Sequence, residues 1–161
     1  MNTRLGTLAL AAMLTVGAAA HAEPPALTAE VVTWLKAYDA AFDSRQVEQL
    51  TPFYHPDVTI FEGGSVDVGW AAYRDHHLGP ELKEMEGLVF THSNVSAHAL
   101  GCDGLSAYVT AEYRLRARIG GRDVDTEGIE TLMLVKDDGG AWKIRHSHTS
   151  SKRRPAAEPA K

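Results

Sequence analysis

A chain of 161 residues with a single cysteine and a formal net charge of −5 is long enough for one domain with its own core. Its acidic balance argues against a nucleic-acid partner, and one cysteine cannot close an internal disulfide. Cys102 sits in Gly101-Cys102-Asp103-Gly104, which reads as a turn with nothing nearby to activate a thiol.

The chain opens as a secretory signal peptide. A short basic start with Arg4 leads into an apolar stretch from Leu5 to Ala20, and Ala20-His21-Ala22 is a small-x-small site. Cleavage after Ala22 is expected, giving a secreted or periplasmic product. No later segment is long and apolar enough to span a bilayer, so no membrane association is expected after cleavage. The expected domain runs over 23–151. The tail at 152–161 begins with Lys152-Arg153-Arg154, is rich in Pro and Ala, and reads as disordered.

After a Pro-rich linker, Thr28 reads as an N-cap. Val31, Trp34, Leu35, Tyr38, Ala41 and Phe42 then recur at helical spacing, predicting an amphipathic helix to about Asp43. A short second helix is expected over 46–54. A strand comes next over 57–62, with Val58, Ile60 and Glu62 on one face and Gly63-Gly64 at its end. A third helix from Gly69 carries Trp70, Tyr73 and His77 on one face and stops at Gly79-Pro80. The remainder is β-rich, over 88–99, 105–118, 122–136 and 141–150, broken by Gly/Asp turns. Helices and then hairpin-linked strands predict an α+β fold. A strongly curved antiparallel sheet would wrap the N-terminal helices as a cone-shaped half-barrel with an internal pocket, and such mouths are preferred small-molecule sites.

The last strand draws attention to chemistry. In W-K-I-R-H-S-H-T-S, strict alternation puts His146 and His148 on the face of Trp142 and Ile144. Imidazoles pushed into an apolar interior need partners. Glu62, Trp70, Tyr73, His77, His146 and His148 are therefore the candidate ligand-binding residues. His76, His77, His146 and His148 are the candidate ligands for zinc or copper, which favour imidazole donors. His146 and His148 also read, with more weight, as hydrogen-bonded core histidines. His92 could reach a pocket from its strand. Glu62, at the end of an apolar strand, could have a raised pKa and serve as general acid or base. Glu112, Arg114 and Arg116, with Glu130 on the next strand, read as a structural ion-pair ladder.

Three segments carry a resemblance: F-Y-H-P-D-V-T-I-F at 53–61, W-A-A-Y-R-D-H-H-L at 70–78, and D-G-G-A-W-K-I-R-H-S-H-T-S at 138–150. With the amphipathic first helix, they make the chain similar to the nuclear transport factor 2-like, or SnoaL-like, superfamily. The ending also resembles kinase II association domains. The resemblance implies the half-barrel fold and a homodimer formed through open sheet faces, for which Tyr113, Leu115 and Ile119 are candidates. It leaves function open, because the fold hosts many. One expectation is an exported pocket protein that binds a small ligand or a transition metal through a His/Glu-lined cavity. The alternative is an enzyme, either an isomerase or lyase working by acid–base chemistry or a carbonic anhydrase of the iota type. The latter would carry H-H-H-S-S where this chain has H-S-H-T-S. An assembly module is the third reading.

Overall fold

Apolar residues at helical spacing give the first element of the computed structural model, which describes residues 25–154. The expected signal peptide, and the tail from Pro155 onward, lie outside the described residues. Helix α1 (Pro25–Asp43) buries Val31, Leu35, Tyr38, Ala41 and Phe42. It starts before the expected cap: Thr28 lies inside it, and its hydroxyl accepts a hydrogen bond from the Ala97 amide at 3.3 Å. A 3-10 helix (Val47–Phe53) leads into β1 (Tyr54–Glu62). Gly63 and Gly64, both at positive φ, turn the chain into β2 (Ser65–Val68). Four residues are too few for alternation to reveal β2 in the sequence.

The next helical stretch does not stop at Gly79-Pro80. Helix α2 (Trp70–Tyr73), one π-helical turn (Arg74–Leu78) and α3 (Gly79–Glu84) run on without a gap. Pro80 lies in the first turn of α3, directly after the π turn. The chain then forms four long strands: β3 (Glu86–Ala99), β4 (Ser106–Ile119), β5 (Arg122–Lys136) and β6 (Trp142–Arg153). The strand order is β2-β1-β6-β5-β4-β3. The fold is α+β with a curved sheet, as expected, but β1 and β6 pair in parallel, so the sheet is mixed. β6 continues two residues past the expected domain end at 151. Lys152 finds Glu127 at 3.3 Å, and Arg154 beyond it pairs with Glu127 and Asp125.

Two departures from strict alternation decide which side chains face inward. On β6, Ile144 pairs with Leu134 and His146 pairs with Met133, so Arg145 is an extra residue. Trp142 and Ile144 are buried; beyond this bulge the buried position is Ser147, while His148 is exposed. The expectation that both histidines share a face with Trp142 and Ile144 is thereby corrected: the bulge reverses the parity. Their rings pack instead against Phe61, at 4.9 and 5.9 Å, on the outer face.

On β4, Tyr113, Leu115 and Ile119 point inward and not toward an outer dimer contact. The outer parity carries Glu112 and Arg114, and Arg114 makes a two-pronged contact with Asp125 at 2.8 and 2.6 Å. Tyr113 has room to lie along the sheet because its neighbour on β5 is Gly128. A β-carbon there would sit 2.7 Å from the Tyr113 ring and 2.4 Å from the Ser150 carbonyl oxygen. Gly128→Ala is therefore expected to lower stability by about 2 kcal/mol, read as a fall in the urea midpoint with an unchanged m-value.

Candidate active site

Between the helices and the concave face of the sheet lies a cavity of about 210 Å³. Tyr38 and Phe42 of α1, Tyr54 of β1 and Phe90 of β3 line it with aromatic surface. Leu115, Ile119 and Val124 supply aliphatic surface, and Ser147, Thr149 and Ser151 give a row of hydroxyls along β6. Among the described residues, two carboxyl groups, Glu62 and Glu130, belong to its wall, and no lysine or arginine does.

Glu130 anchors a buried polar chain. Register with Ala111 and Thr149 turns it inward, so the expected place in an outer ion-pair ladder is corrected. Its Oε2 lies 2.8 Å from His92 Nε2, and its Oε1 accepts a hydrogen bond from the Ser147 hydroxyl at 2.7 Å. The other nitrogen of His92, Nδ1, lies 2.6 Å from Asp39 Oδ1. The His92 side chain is only 1 % exposed. Burial opposes its charge, but hydrogen bonds to Asp39 and Glu130 outweigh that and lift its pKa to about 9. The same helix stitches down the sheet edge. Asp39 Oδ2 accepts the His92 amide at 3.1 Å, and Asp43 accepts the Phe90 amide at 2.6 Å, satisfying donors of edge strand β3.

Glu62 comes from the end of β1 and accepts a hydrogen bond from the Tyr73 hydroxyl at 3.1 Å. Burial pushes its carboxyl above the ordinary range, with the Tyr73 bond pulling partly back. The Tyr38 and Tyr54 hydroxyls are 2.7 Å apart, and burial raises both phenols far enough that they stay protonated. One hydroxyl must donate to the other, which leaves the acceptor's own proton free to donate elsewhere.

Of the six residues expected to bind ligand, Glu62 and Tyr73 line the cavity. Trp70 lies behind the wall, stacked on Tyr54 at 4.4 Å and donating to Thr51 at 3.2 Å. His77 stands behind Tyr73, edge-on at 5.2 Å. Its Nδ1 is 2.7 Å from Asp67 and its Nε2 is 3.3 Å from Glu81. Burial opposes its charge too, yet Asp67, Glu81 and Glu62 hold its pKa above the ordinary value.

His146 and His148 face outward, and His76 is exposed on the π turn. The expected ligands for zinc or copper are thus dispersed. Among the described residues, no three His, Cys, Asp or Glu side chains come together as a metal-ligand set. Asp39, Tyr38 and Tyr54 are site residues that the sequence pattern does not single out. The available signal is Asp39 itself, an acid one helical turn after the core residue Leu35.

The raised pKa of His92 sets the sign of its pH linkage. The unfolded value is ~6.5, so its stabilisation is complete below that pH and is lost as pH rises through about 9. Unfolding free energy is expected to fall by about 3 kcal/mol between these limits. The decline should be much flatter in His92→Gln, with urea denaturation as the check.

Known proteins share this architecture. A family model described as the SnoaL-like domain matches residues 31–153. No curated protein gives a significant match. Many solved structures are similar, among them the following three. A candidate ketosteroid isomerase from Shewanella frigidimarina NCIMB 400 shares 27 % identity, covering 73 % of this chain and 92 % of that one, with a TM-score of 0.62. A nuclear transport factor 2-like superfamily protein from Salmonella enterica serovar Typhimurium LT2 shares 15 %, covering 84 % and 98 %, with a TM-score of 0.70. A candidate scytalone dehydratase from Novosphingobium aromaticivorans DSM 12444 shares 18 %, covering 81 % and 88 %, with a TM-score of 0.67. With a family match over most of its length and a fold of the same architecture, the chain belongs to the SnoaL-like domain family.

Proposed function

We propose that this protein is an enzyme that moves a proton on a small, neutral carbonyl compound, with Glu62 as the general acid–base residue. One observation carries the reading. A carboxyl whose pKa is raised by burial stands at the wall of a largely apolar cavity, which also holds tyrosine hydroxyls that stay protonated. Glu62 takes a proton from the carbon beside the carbonyl. The developing enolate oxygen takes a hydrogen bond from the free proton of the Tyr38–Tyr54 pair. Return of the proton to another carbon completes an isomerisation. Departure of a leaving group instead completes an elimination. Two of the similar structures bear names from these classes, an isomerase and a dehydratase.

Size and charge narrow the substrate. The cavity of about 210 Å³ is smaller than the ~300–1,000 Å³ typical of drug-sized pockets, which favours a compound of single-ring size. Two carboxyl groups without a lysine or arginine in the wall disfavour an anion. Binding without turnover would need the same cavity, but it gives no role to an acid of raised pKa. The signal-peptide reading would place this activity outside the cytoplasm.

The test monitors isomerisation of a β,γ-unsaturated cyclohexenone to its conjugated isomer by ultraviolet absorbance, together with deuterium uptake from D₂O by cyclohexanone. Wild-type protein should accelerate at least one. Glu62→Gln should lower that rate by about 10²–10⁴-fold with the fold intact. Equal rates for wild type, Glu62→Gln and buffer would contradict the proposal.

A further inference from the structure

We propose that His77 is a positioning residue for Glu62: it clamps the β1–β2 hairpin to α3 and so seats the Tyr73 hydroxyl on the Glu62 carboxyl. This rests on the acid–base role of Glu62 proposed above. The clamp has two jaws. Asp67 of β2 meets Nδ1 at 2.7 Å, and Glu81 of α3 meets Nε2 at 3.3 Å. Ionised carboxylates only accept hydrogen bonds, so a ring that donates from Nδ1 to Asp67 and presents a positive Nε2 to Glu81 must carry a proton on each nitrogen. A neutral imidazole would turn a lone pair toward one of the carboxylates.

The Asp67 jaw and the His77 ring itself each connect to Glu62. Asp67 pairs with Ile60 in the hairpin that also holds Glu62 opposite Ser65. The His77 ring meets Tyr73 edge-on at 5.2 Å, and Tyr73 donates to Glu62 at 3.1 Å. The groups facing His77 are Asp67 from β2, Glu81 from α3 and Glu62 from β1, with Tyr73 from the preceding turn. Its neighbours Arg74 and Asp75 pair with each other.

The backbone is built for this placement. The π turn carries one more residue than an α-turn and so rotates the residues after it by about 100°. Gly79 closes it by donating its amide to the Arg74 carbonyl. A β-carbon at Gly79 would lie 2.4 Å from that carbonyl oxygen, so the turn requires glycine there. The clamp holds while His77 carries both protons, and it opens as pH rises through a pKa that its carboxylate neighbours keep above the ordinary histidine value.

The experiment titrates Glu62 by NMR in ¹³C-glutamate-labelled protein, assigning its signal by its loss in Glu62→Gln. It compares wild type, His77→Gln and Asp67→Asn, and adds the proton-transfer assay. In both variants the Glu62 pKa should move up, since a nearby positive charge is removed or weakened and the Tyr73 bond loosens. Their kcat should fall about ten- to a hundredfold with KM little changed. A Glu62 titration unchanged in both folded variants would overturn the proposal, even if stability fell. Should the wild type show no proton transfer, the enzymatic reading fails while the Glu62 titration still decides the positioning role.

Discussion

A buried imidazolium between two carboxylates governs how this molecule is assembled. His92 is almost fully enclosed, and each of its ring nitrogens faces an acid from a different element, Asp39 of α1 and Glu130 of β5. Burying such a cluster is unfavourable unless every charge is paired. The register of α1 against β3, and the inward parity of β5, are therefore constrained together. Asp39 also accepts the His92 amide, and Glu130 also accepts the Ser147 hydroxyl. One network thus joins the helix, the sheet edge and the wall of the cavity. Replacing His92 leaves the two carboxylates without their cation, a change that costs about 3–5 kcal/mol.

The cavity inherits its chemistry from this arrangement. His92 pairs directly with Glu130, while the cation nearest to Glu62, His77, stands behind Tyr73 and acts on it only at a distance. The two glutamates occupy different electrostatic surroundings, and pairs of acids separated in this way suit distinct roles. Glu130 is tied by two hydrogen bonds and serves structure. Glu62 is held by the Tyr73 hydroxyl, and burial makes it more basic.

Much of the fold is legible in the sequence because its signals are periodic. The spacing of Val31, Leu35, Tyr38 and Phe42 marks α1, and Gly120-Gly121 and Asp137-Asp138-Gly139-Gly140 mark the hairpins between long strands. The site is less legible for a physical reason. Alternation along β6 holds only until Arg145, and one extra residue exchanges the two faces. His146 and His148 therefore leave the interior, and Ser147, Thr149 and Ser151 enter it. A bulge has no composition of its own, so alternation cannot reveal it. The Asp39–His92–Glu130 chain joins residues 38 to 53 positions apart, and nothing in local spacing brings them together. Glu62 and Tyr73 are legible because each sits near the end of a clear periodic segment.

Nitrogen-15 NMR of histidine-labelled protein at neutral pH tests most directly whether His92 is a buried cation paired on both sides. Its signals are assigned by their loss in His92→Gln. The account predicts imidazolium shifts and attached protons on both Nδ1 and Nε2 of His92. A neutral ring, protonated on one nitrogen only, would contradict it.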